Sequence, residues 1–335
     1  MTASRVLERL LQTLPVLLGV SLIVFLMITL TPGDPVEIML ADSRATPEQA
    51  AQLRADLGLD RPLPERFLVF LGNAVRGDFG LSFFHRRPVW DVIVERLPAT
   101  IELTLAAIIL AVAVSIPLGV AAAVRRDTWL DRLLSAVSLF GVSLPGFWFG
   151  ILLILLFAVQ LGLLPVGGRT AFDLEVPRLT GFLLIDTLAA GRLDAFAAAL
   201  RHLALPAITL GLPTAALLTR VVRSSMAEVL TADYVLFAEA KGLSRARVLG
   251  RHALKNALIP VVTVAAIETG SLLGGNMIVE TVFGWPGLGR LVVESIFARN
   301  YPLVQAAVLL YAVTYVVLNF AADLAYTALN PKVRL

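Results

Sequence analysis

The sequence predicts an all-α integral membrane protein with six transmembrane helices. Hydrophobic residues make up 58% of the 335 residues, charged residues only 16%, and the mean hydropathy is +0.82, whereas soluble domains have roughly 45 to 50% apolar and about 25% charged residues. Six uncharged runs are long enough to cross a bilayer, and basic residues cluster in alternate connections between them. A soluble enzyme and a disordered protein are therefore excluded, and the absence of cysteine excludes a disulfide scaffold and cysteine-based metal sites.

The spans follow from the length that a membrane helix needs, about 20 apolar residues for a ~30 Å hydrocarbon core. The first run is longer than the apolar core of a signal peptide and lacks a small-x-small cleavage site, so we expect it to be retained. The third run is too long for one perpendicular span and must bend or overhang, with Pro145 and Gly146 marking a kink. The predicted spans are residues 10–33, 103–124, 133–168, 202–219, 256–279 and 300–322.

The orientation follows from the basic residues. Arg125, Arg126 and Arg132 occupy the second connection, and the fourth connection, residues 220–255, carries seven basic residues against three acidic ones. These connections lie on one side of the membrane, which the positive-inside rule makes cytoplasmic. With an even number of spans, both termini are expected on the cytoplasmic side.

The long outer connection divides the chain into three predicted regions: 1–33 with the first span, 34–98 as an extracytoplasmic loop domain, and 99–335 as the membrane core. Thr46-Pro47-Glu48-Gln49 forms a capping-box pattern, and Gly58 is suited to a helix C-cap, so we expect a helix over 47–57. Two interpretations stay open for this region: a structured lid, or a docking surface for an extracytoplasmic partner.

The fourth connection contains two predicted helices that meet at a glycine. Asp233 is expected to cap a helix over 234–241, Gly242 to end it in a left-handed conformation, and Ser244 to cap a second helix that ends near Pro260. The first helix is more apolar than a solvated loop needs, which predicts a protein partner. An amphipathic helix resting on the bilayer is the alternative, whereas a DNA-binding helix-turn-helix is improbable between two closely spaced membrane spans.

Several segments of the chain carry a family resemblance. They are YVLFAEAKGLS at 234–244, RHALKNALIP at 251–260, PGDP at 32–35, GDFGLS at 77–82, LPVGG at 164–168, RSSM at 223–226 and ETVFGWPGLG at 280–289. In this order and spacing the chain resembles the permeases of ABC importers, and within them the dipeptide, oligopeptide and nickel branch. The resemblance covers essentially the whole chain and implies the six-helix fold of type I importers.

The resemblance also implies partners. Such a permease pairs with a homologous permease, as a heterodimer, receives substrate from an extracytoplasmic binding protein, and is driven by two cytoplasmic ATPase subunits in a bacterial inner membrane. ATP and Mg²⁺ are expected in those ATPases, because this chain has no phosphate-binding G-x-x-x-x-G-K-[ST] loop. No cofactor, metal or nucleic acid is expected on the chain, which would contact only proteins and membrane lipid. The residues implied in ATPase coupling are Asp233, Tyr234, Val235, Phe237, Ala238, Glu239, Ala240, Lys241, Gly242 and Ser244.

Polar residues inside the spans are candidates for the translocation pathway, because an ionisable group at mid-bilayer is costly and normally faces the bundle interior. Glu268 lies half-way along the fifth span, and Gly275 and Asn276 follow on nearly the same helix face. Ser143 and Trp148 in the third span are further candidates. The alternative is that this face only joins helices through hydrogen bonds.

Glu280 and Asp323 are two further acidic residues at the ends of predicted spans. Glu280 is expected at the outer interface, and Asp323 is expected to pair with an arginine on the cytoplasmic side. The three histidines have no metal-ligand spacing, and no serine has a membrane-embedded base beside it, which argues against an intramembrane enzyme. An ion-coupled secondary transporter is the alternative function, although the matching broken helices that it would need are not seen.

Overall fold

The computed structural model describes residues 3–30, 36, 40, 46–56, 58–171, 174 and 176–329, without the side chains of residues 3–11, 28, 53, 56, 275, 323 and 325–329. The motif at 32–35 and the side chain of Asp323 thus lie outside the described part of the chain. Within it, the only β pairing is an isolated antiparallel bridge between Leu81 and Pro88. The all-α prediction is confirmed.

The helices follow one another with short connections. Two π-helical segments accompany them, Ile154–Gln160 directly after α6 and Val248–Ala253 between α10 and α11. The helices are α1 (Ala3–Leu30), α2 (Pro47–Asp56), α3 (Leu63–Val75), α4 (Val89–Val124), α5 (Trp129–Ser143), α6 (Gly146–Leu153), α7 (Leu183–Ala189), α8 (Leu193–Leu230), α9 (Asp233–Ala240), α10 (Arg245–Arg247), α11 (Leu254–Gly275), α12 (Met277–Val282), α13 (Leu288–Phe297) and α14 (Tyr301–Leu329).

Each predicted span overlaps a helix over the described residues, but the third, 133–168, extends eight residues beyond the last helical residue, Gln160. Four helical segments are long and apolar enough to cross a membrane by themselves: α4, α8, the continuous run Arg245–Gly274, and Tyr301–Ala322 within α14. The bent pair of α5 with α6 supplies a fifth crossing if it counts as one span. The first predicted span corresponds to the shorter apolar stretch Gln12–Met27 of α1.

The third span is broken rather than smoothly bent. Trp129–Ser143 and Gly146–Gln160 meet at an angle of 103°, because Leu144 and Pro145 both have extended backbone conformations, with ψ of 132° and 123°. Proline disfavours the helical conformation in the residue before it, which explains why the break begins at Leu144. The prediction that this run must bend is confirmed, and the bend is a sharp corner.

The described chain forms two compact units, Met1–Leu97 with Arg290–Thr314, and Pro98–Gly289 with Tyr315–Leu335. In the first unit, the Phe25 ring of α1 lies 5.4 and 5.8 Å from the rings of Phe67 and Phe70 on α3. Aromatic pairs at such distances stabilise a helix contact beyond the area that they bury. The outer connection is therefore packed onto the first helix within this unit.

The capping box of the first unit forms as predicted. Thr46 N–H donates to Gln49 Oε1 at 2.9 Å, and Gln49 N–H donates to Thr46 Oγ1 at 3.4 Å. Gly58 adopts a φ of +65°, and Leu59 N–H donates to Arg54 O at 3.1 Å, which ends the helix by a left-handed cap. The helix is described over Pro47–Asp56, and Leu57, the last residue of the predicted helix, lies outside the described residues.

The second unit is organised around α8. A Cβ at Gly211 of α8 would lie 2.8 Å from the carbonyl oxygen of Ala107 on α4, so the glycine allows the two backbones to approach closely. On α5, Asp131 is buried at 2% exposure and forms two hydrogen bonds with Arg223 of α8, at 2.5 and 2.8 Å. Helix α8 therefore contacts both α4, at Gly211, and α5, through Arg223.

Candidate functional site

Helix α9 is the short helix predicted in the fourth connection. It spans Asp233–Ala240 and is preceded by Ala232, whose extended backbone starts the helix without any side-chain cap. The predicted capping role of Asp233 is therefore wrong: its carboxylate is part of the first helical turn, where the helix dipole favours a negative charge. The prediction for the other end is confirmed, because Gly242 has a φ of +76°.

Helix α9 has one buried side and one exposed side. Val235 and Ala238 are 1% and 6% exposed and belong to an apolar cluster with residues of α8 and α11. On the other side, Tyr234, Leu236 and Phe237 are 44%, 51% and 61% exposed. A large apolar surface held rigidly by a buried base is typical of a docking element.

Charged groups surround this exposed surface. The Lys241 ammonium lies 4.5 Å from the centroid of the Phe237 ring, in a cation-π contact. Glu239, Arg245 and Arg247 are exposed and follow Phe237 within ten residues of sequence. The Asn256 amide donates to the Tyr234 hydroxyl at 2.9 Å, which fixes the position of that ring. The surface thus combines apolar side chains with a mainly basic rim.

The second predicted helix of this connection differs from expectation. Ser244 precedes α10 as predicted but makes no side-chain capping bond, and the helical run does not end near Pro260. It continues through the π-helical segment Val248–Ala253 into α11 and ends at Gly275. The run continues past Pro260 because prolines are tolerated inside membrane helices. Only residues 241–244 separate α9 from this membrane-spanning run.

The pathway candidates lie in different environments. Glu268 is half-buried on α11 and has no hydrogen bond or ion pair to any other described residue. Asn276 is 3% exposed at the break between α11 and α12, and its side-chain amide donates to Thr104 Oγ1 at 3.4 Å. Ser143 and Trp148 are exposed near the corner of the third span. Gly275 is the last residue of α11.

Glu280 is buried, which corrects the expectation that it reaches the outer interface. It has 0% exposure, and its carboxylate accepts a hydrogen bond from Thr100 Oγ1 at 2.7 Å. Leu288 N–H donates to the same Thr100 oxygen at 2.7 Å, so α4 joins both ends of the 280–289 segment. A Cβ at Gly287 would collide with the Glu280 carboxylate. The glycines of this segment therefore make room for a buried acidic group.

Comparison with known families decides what kind of protein carries these features. Residues 115–335 match the model of the binding-protein-dependent transport system inner membrane component, and residues 3–104 match the N-terminal region of such membrane components. The chain belongs to this family. The alternative of an ion-coupled secondary transporter is thereby excluded, and this permease is a membrane subunit of an ABC importer, whose ATPase activity resides in separate subunits.

Curated relatives of the permease share its whole length. It is 45% identical to the di/tripeptide transport system permease protein DppB of Pseudomonas aeruginosa over 96% of both chains, and 44% identical to the dipeptide transport system permease protein DppB of Escherichia coli K12 over 98% of both chains. It is also 41% identical to the glutathione transport system permease protein GsiC of Escherichia coli K12 over 98% of both chains.

A solved structure supports the fold of the permease. A chain from the inward-facing MetNI methionine ABC transporter superposes with a TM-score of 0.52 and 19% identity, covering 71% of the permease and 96% of that chain. At this identity the likeness concerns the fold alone. It confirms the type I importer fold that the sequence motifs imply.

Some residues that organise the permease carry no sequence signal. Arg169 and Glu102 form an ion pair at 2.6 Å, with side chains 17% and 7% exposed. Glu102 also accepts Leu184 N–H at 2.8 Å, which joins the first turn of α7 to α4. Arg169 and Leu184 lie 67 and 82 positions from Glu102, so no sequence periodicity could have paired them with it.

Proposed function

We propose that the permease forms half of the translocation pathway of an importer for di- and tripeptides or related small peptides. The names of its full-length relatives support this substrate class, since dipeptide, di/tripeptide and glutathione systems all transport short peptides. The other half of the pathway is a homologous permease subunit, so that the functional unit is a heterodimer in the bacterial inner membrane.

The remaining partners follow from the energy source. An extracytoplasmic binding protein delivers the substrate, and two cytoplasmic ATPase subunits bind ATP and Mg²⁺. The absence of a phosphate-binding loop from the permease sequence supports this division of labour. The basic fourth connection supports a cytoplasmic position for α9 and for both termini.

The observation that carries the coupling proposal is the two-sided packing of α9. An ATPase subunit would receive Tyr234, Leu236 and Phe237, which are exposed, while Val235 and Ala238 are fixed in the cluster with α8 and α11. A displacement of α9 by the closing ATPases would therefore move two membrane helices with it, since buried clusters transmit displacement rather than absorb it. This motion would open the pathway alternately to each side.

Single-cysteine crosslinking tests the docking surface directly, because the wild-type chain contains no cysteine. Phe237→Cys in the assembled transporter is expected to crosslink to an ATPase subunit with a short thiol-reactive photocrosslinker. Trp129→Cys is the matched control, since Trp129 is an exposed aromatic residue outside α9, at 74% exposure against 61% for Phe237. Crosslinks from Phe237→Cys to lipid alone, as for an amphipathic helix on the bilayer, would contradict the proposal.

Glu268 is proposed to line the pathway, together with Gly275, Asn276, Ser143 and Trp148. Its support is that a half-buried carboxylate in a membrane-spanning helix lacks a partner among the described residues. Glu268→Gln is expected to change peptide uptake while the complex assembles normally, and Glu228→Gln, at an exposed site on α8, is expected to change neither. Failed assembly of Glu268→Gln with normal uptake by the surviving complex would favour a purely structural role.

A further inference from the structure

A polar cavity of about 620 Å³ lies between α5 and α8. Its polar lining consists of two arginines, Arg220 and Arg223, and three serines, Ser135, Ser224 and Ser225. All are hydrogen-bond donors, and no acidic side chain is part of the lining. A cavity of this composition is suited to an oxyanion.

The two arginines of the cavity differ in their pairing. Arg223 is held by Asp131 through two hydrogen bonds, at 2.5 and 2.8 Å. Asp131 also accepts the Asp127 N–H at 3.0 Å, and the Asp127 carboxylate lies 3.7 Å from Arg126, so the acidic groups near the cavity already have partners. Arg220 is exposed and has no ion pair or hydrogen bond to any other described residue. The cavity therefore keeps one uncompensated positive charge.

The serine hydroxyls add donors around this charge. Ser224 and Ser225 make no side-chain hydrogen bond to any other residue of the described chain, whereas Ser135 reaches Asp131 at 3.5 Å. Arg220 and Ser224 are four residues apart on α8 and thus share a helix face. One face of α8 therefore offers a guanidinium group and a free hydroxyl to the same ligand.

Apolar surface continues from the cavity along the membrane-spanning part of α5. Leu139 and Val142 follow Ser135 at four and seven residues, on the same helix face, and are 60% and 44% exposed. Leu217, one helical turn before Val221, supplies the apolar lining on α8. At the start of α5, Trp129 is 74% exposed, as is common for aromatic side chains at a membrane interface. A ligand with a negative head and an apolar tail matches this arrangement.

We propose that the cavity binds the phosphate group of an anionic membrane lipid from the cytoplasmic leaflet. Arg220 binds the phosphate with its guanidinium fork, Ser224 and Ser225 donate to the remaining phosphate oxygens, and the acyl chains lie along Leu139 and Val142. Basic pockets between membrane helices on the cytoplasmic side are suited to anionic head groups. Since Met226 directly follows Ser225 and belongs to the cluster beneath α9, a bound lipid also stabilises the base of that helix.

Lipid retention by the complete transporter tests the proposal. The transporter is reconstituted in nanodiscs that contain phosphatidylglycerol and phosphatidylcholine, and the lipids that remain bound after transfer to detergent are counted by native mass spectrometry. Arg220→Gln is expected to weaken phosphatidylglycerol retention about fivefold, the effect of one arginine at an anionic surface. Arg125→Gln, an exposed arginine on the same predicted side that does not line the cavity, is expected to retain the wild-type amount.

Two further variants separate specific binding from general attraction. Ser224→Ala is expected to weaken retention without changing the charge, and Arg220→Lys is expected to restore it only partly, because an ammonium lacks the planar fork. Equal losses in Arg220→Gln and Arg125→Gln would overturn the proposal, since they would indicate non-specific attraction. Wild-type retention by Arg220→Gln would overturn it as well.

A soluble phosphate is the other source of the same chemistry. In nanodiscs of phosphatidylcholine alone, potassium phosphate is compared with potassium chloride at equal ionic strength, with the thermal unfolding temperature as the readout. No specific stabilisation by phosphate supports the lipid as the source. Stabilisation by phosphate that is lost in Arg220→Gln, without selective retention of phosphatidylglycerol, would overturn the lipid assignment in favour of a soluble anion.

Discussion

The segments 233–244 and 280–289 both carry strong family motifs, yet they use their side chains in opposite ways. The first exposes Leu236 and Phe237, which are apolar, whereas the second buries the Glu280 carboxylate completely. Hydropathy would place these side chains the other way round. The difference shows that the first segment is shaped for a partner outside the chain and the second for partners within it.

The largest effect is expected from closing the space beside the buried carboxylate. Gly287→Ala places a Cβ against Glu280 and is expected to lower the free energy of unfolding by about 3 kcal/mol, the upper range for overpacking. The thermal unfolding temperature of the purified protein in detergent measures it. Gly250→Ala is the control, because a Cβ there meets nothing within 4 Å. Equal stability of both variants would show that the 280–289 segment is not tightly packed.

Gly242→Val tests whether the segment 233–244 serves coupling rather than folding. No atom lies within 4 Å of a Cβ at this position, but the φ of +76° is strained for any branched residue, at a cost of about 1 to 2 kcal/mol. The variant is expected to assemble and to hydrolyse ATP with strongly reduced peptide uptake in proteoliposomes. Gly146→Ala, which lacks both a positive φ and a close neighbour, should transport normally; uptake unchanged in Gly242→Val would refute the coupling role of α9.

The two sides of α9 can be separated within a single helix. Val235→Ala removes buried methyl groups and is expected to destabilise the permease by about 2 kcal/mol. Phe237→Ala, on the exposed side, should leave the unfolding temperature unchanged but weaken ATPase association by about 1 to 3 kcal/mol. Co-purification of the ATPases and thermal unfolding provide the two readouts. A stability loss of equal size in both variants would contradict the two-sided description of α9.

The smallest effect concerns a second buried carboxylate, which lies outside the membrane-spanning segments. Burial alone would raise the pKa of Asp186, but hydrogen bonds from the Thr180 hydroxyl at 2.6 Å and from the N–H groups of Thr180 and Gly181 outweigh it and lower the pKa. A lowered pKa adds stability above the unfolded value of about 3.9. This stability is lost as the pH falls through the folded pKa.

Asp186→Asn should therefore cost about 1 kcal/mol at neutral pH and remove the acid-dependent part of the loss of stability. Unfolding temperatures at pH 7 and near pH 3.5 compare the two proteins. A parallel decline of wild type and variant between these pH values would show that Asp186 does not contribute. The difference between wild type and Asp186→Asn measures how much hydrogen-bond donors stabilise a buried carboxylate. The buried carboxylate of Glu280 also accepts a hydrogen bond.

Local patterns in the sequence predicted local structure well. The capping box of Thr46 with Gln49 and the left-handed stop at Gly242 depend on neighbouring residues, and both form. The burial of Glu280 could not be predicted in this way, because its partner Thr100 is 180 residues away. The predicted stop near Pro260 failed for another reason: proline ends helices in water, but the Leu254–Gly275 helix continues through it within a membrane-spanning run.

For the coupling residues of α9, too, some features could be predicted from the sequence and others could not. The sequence predicted where α9 lies and where it ends, since these depend on composition and on one glycine. It could not predict which of its apolar residues are exposed, because Val235 and Phe237 have similar hydropathy and differ only in what packs against them. The ion pair of Asp131 with Arg223 was likewise invisible, as its members are 92 residues apart.

The corner at Leu144 and Pro145 divides the third span into two helical halves, and each half makes its own contact with α8. The half before the corner is fastened to α8 through Asp131 and Arg223, whereas the half after it rests on the same helix through Gly150, whose position for a Cβ lies 3.1 Å from the Thr209 methyl group. A tilt of the α5 half can therefore be taken up as rotation at the corner. The α6 half, which has its own contact with α8 at Gly150, would then keep its position.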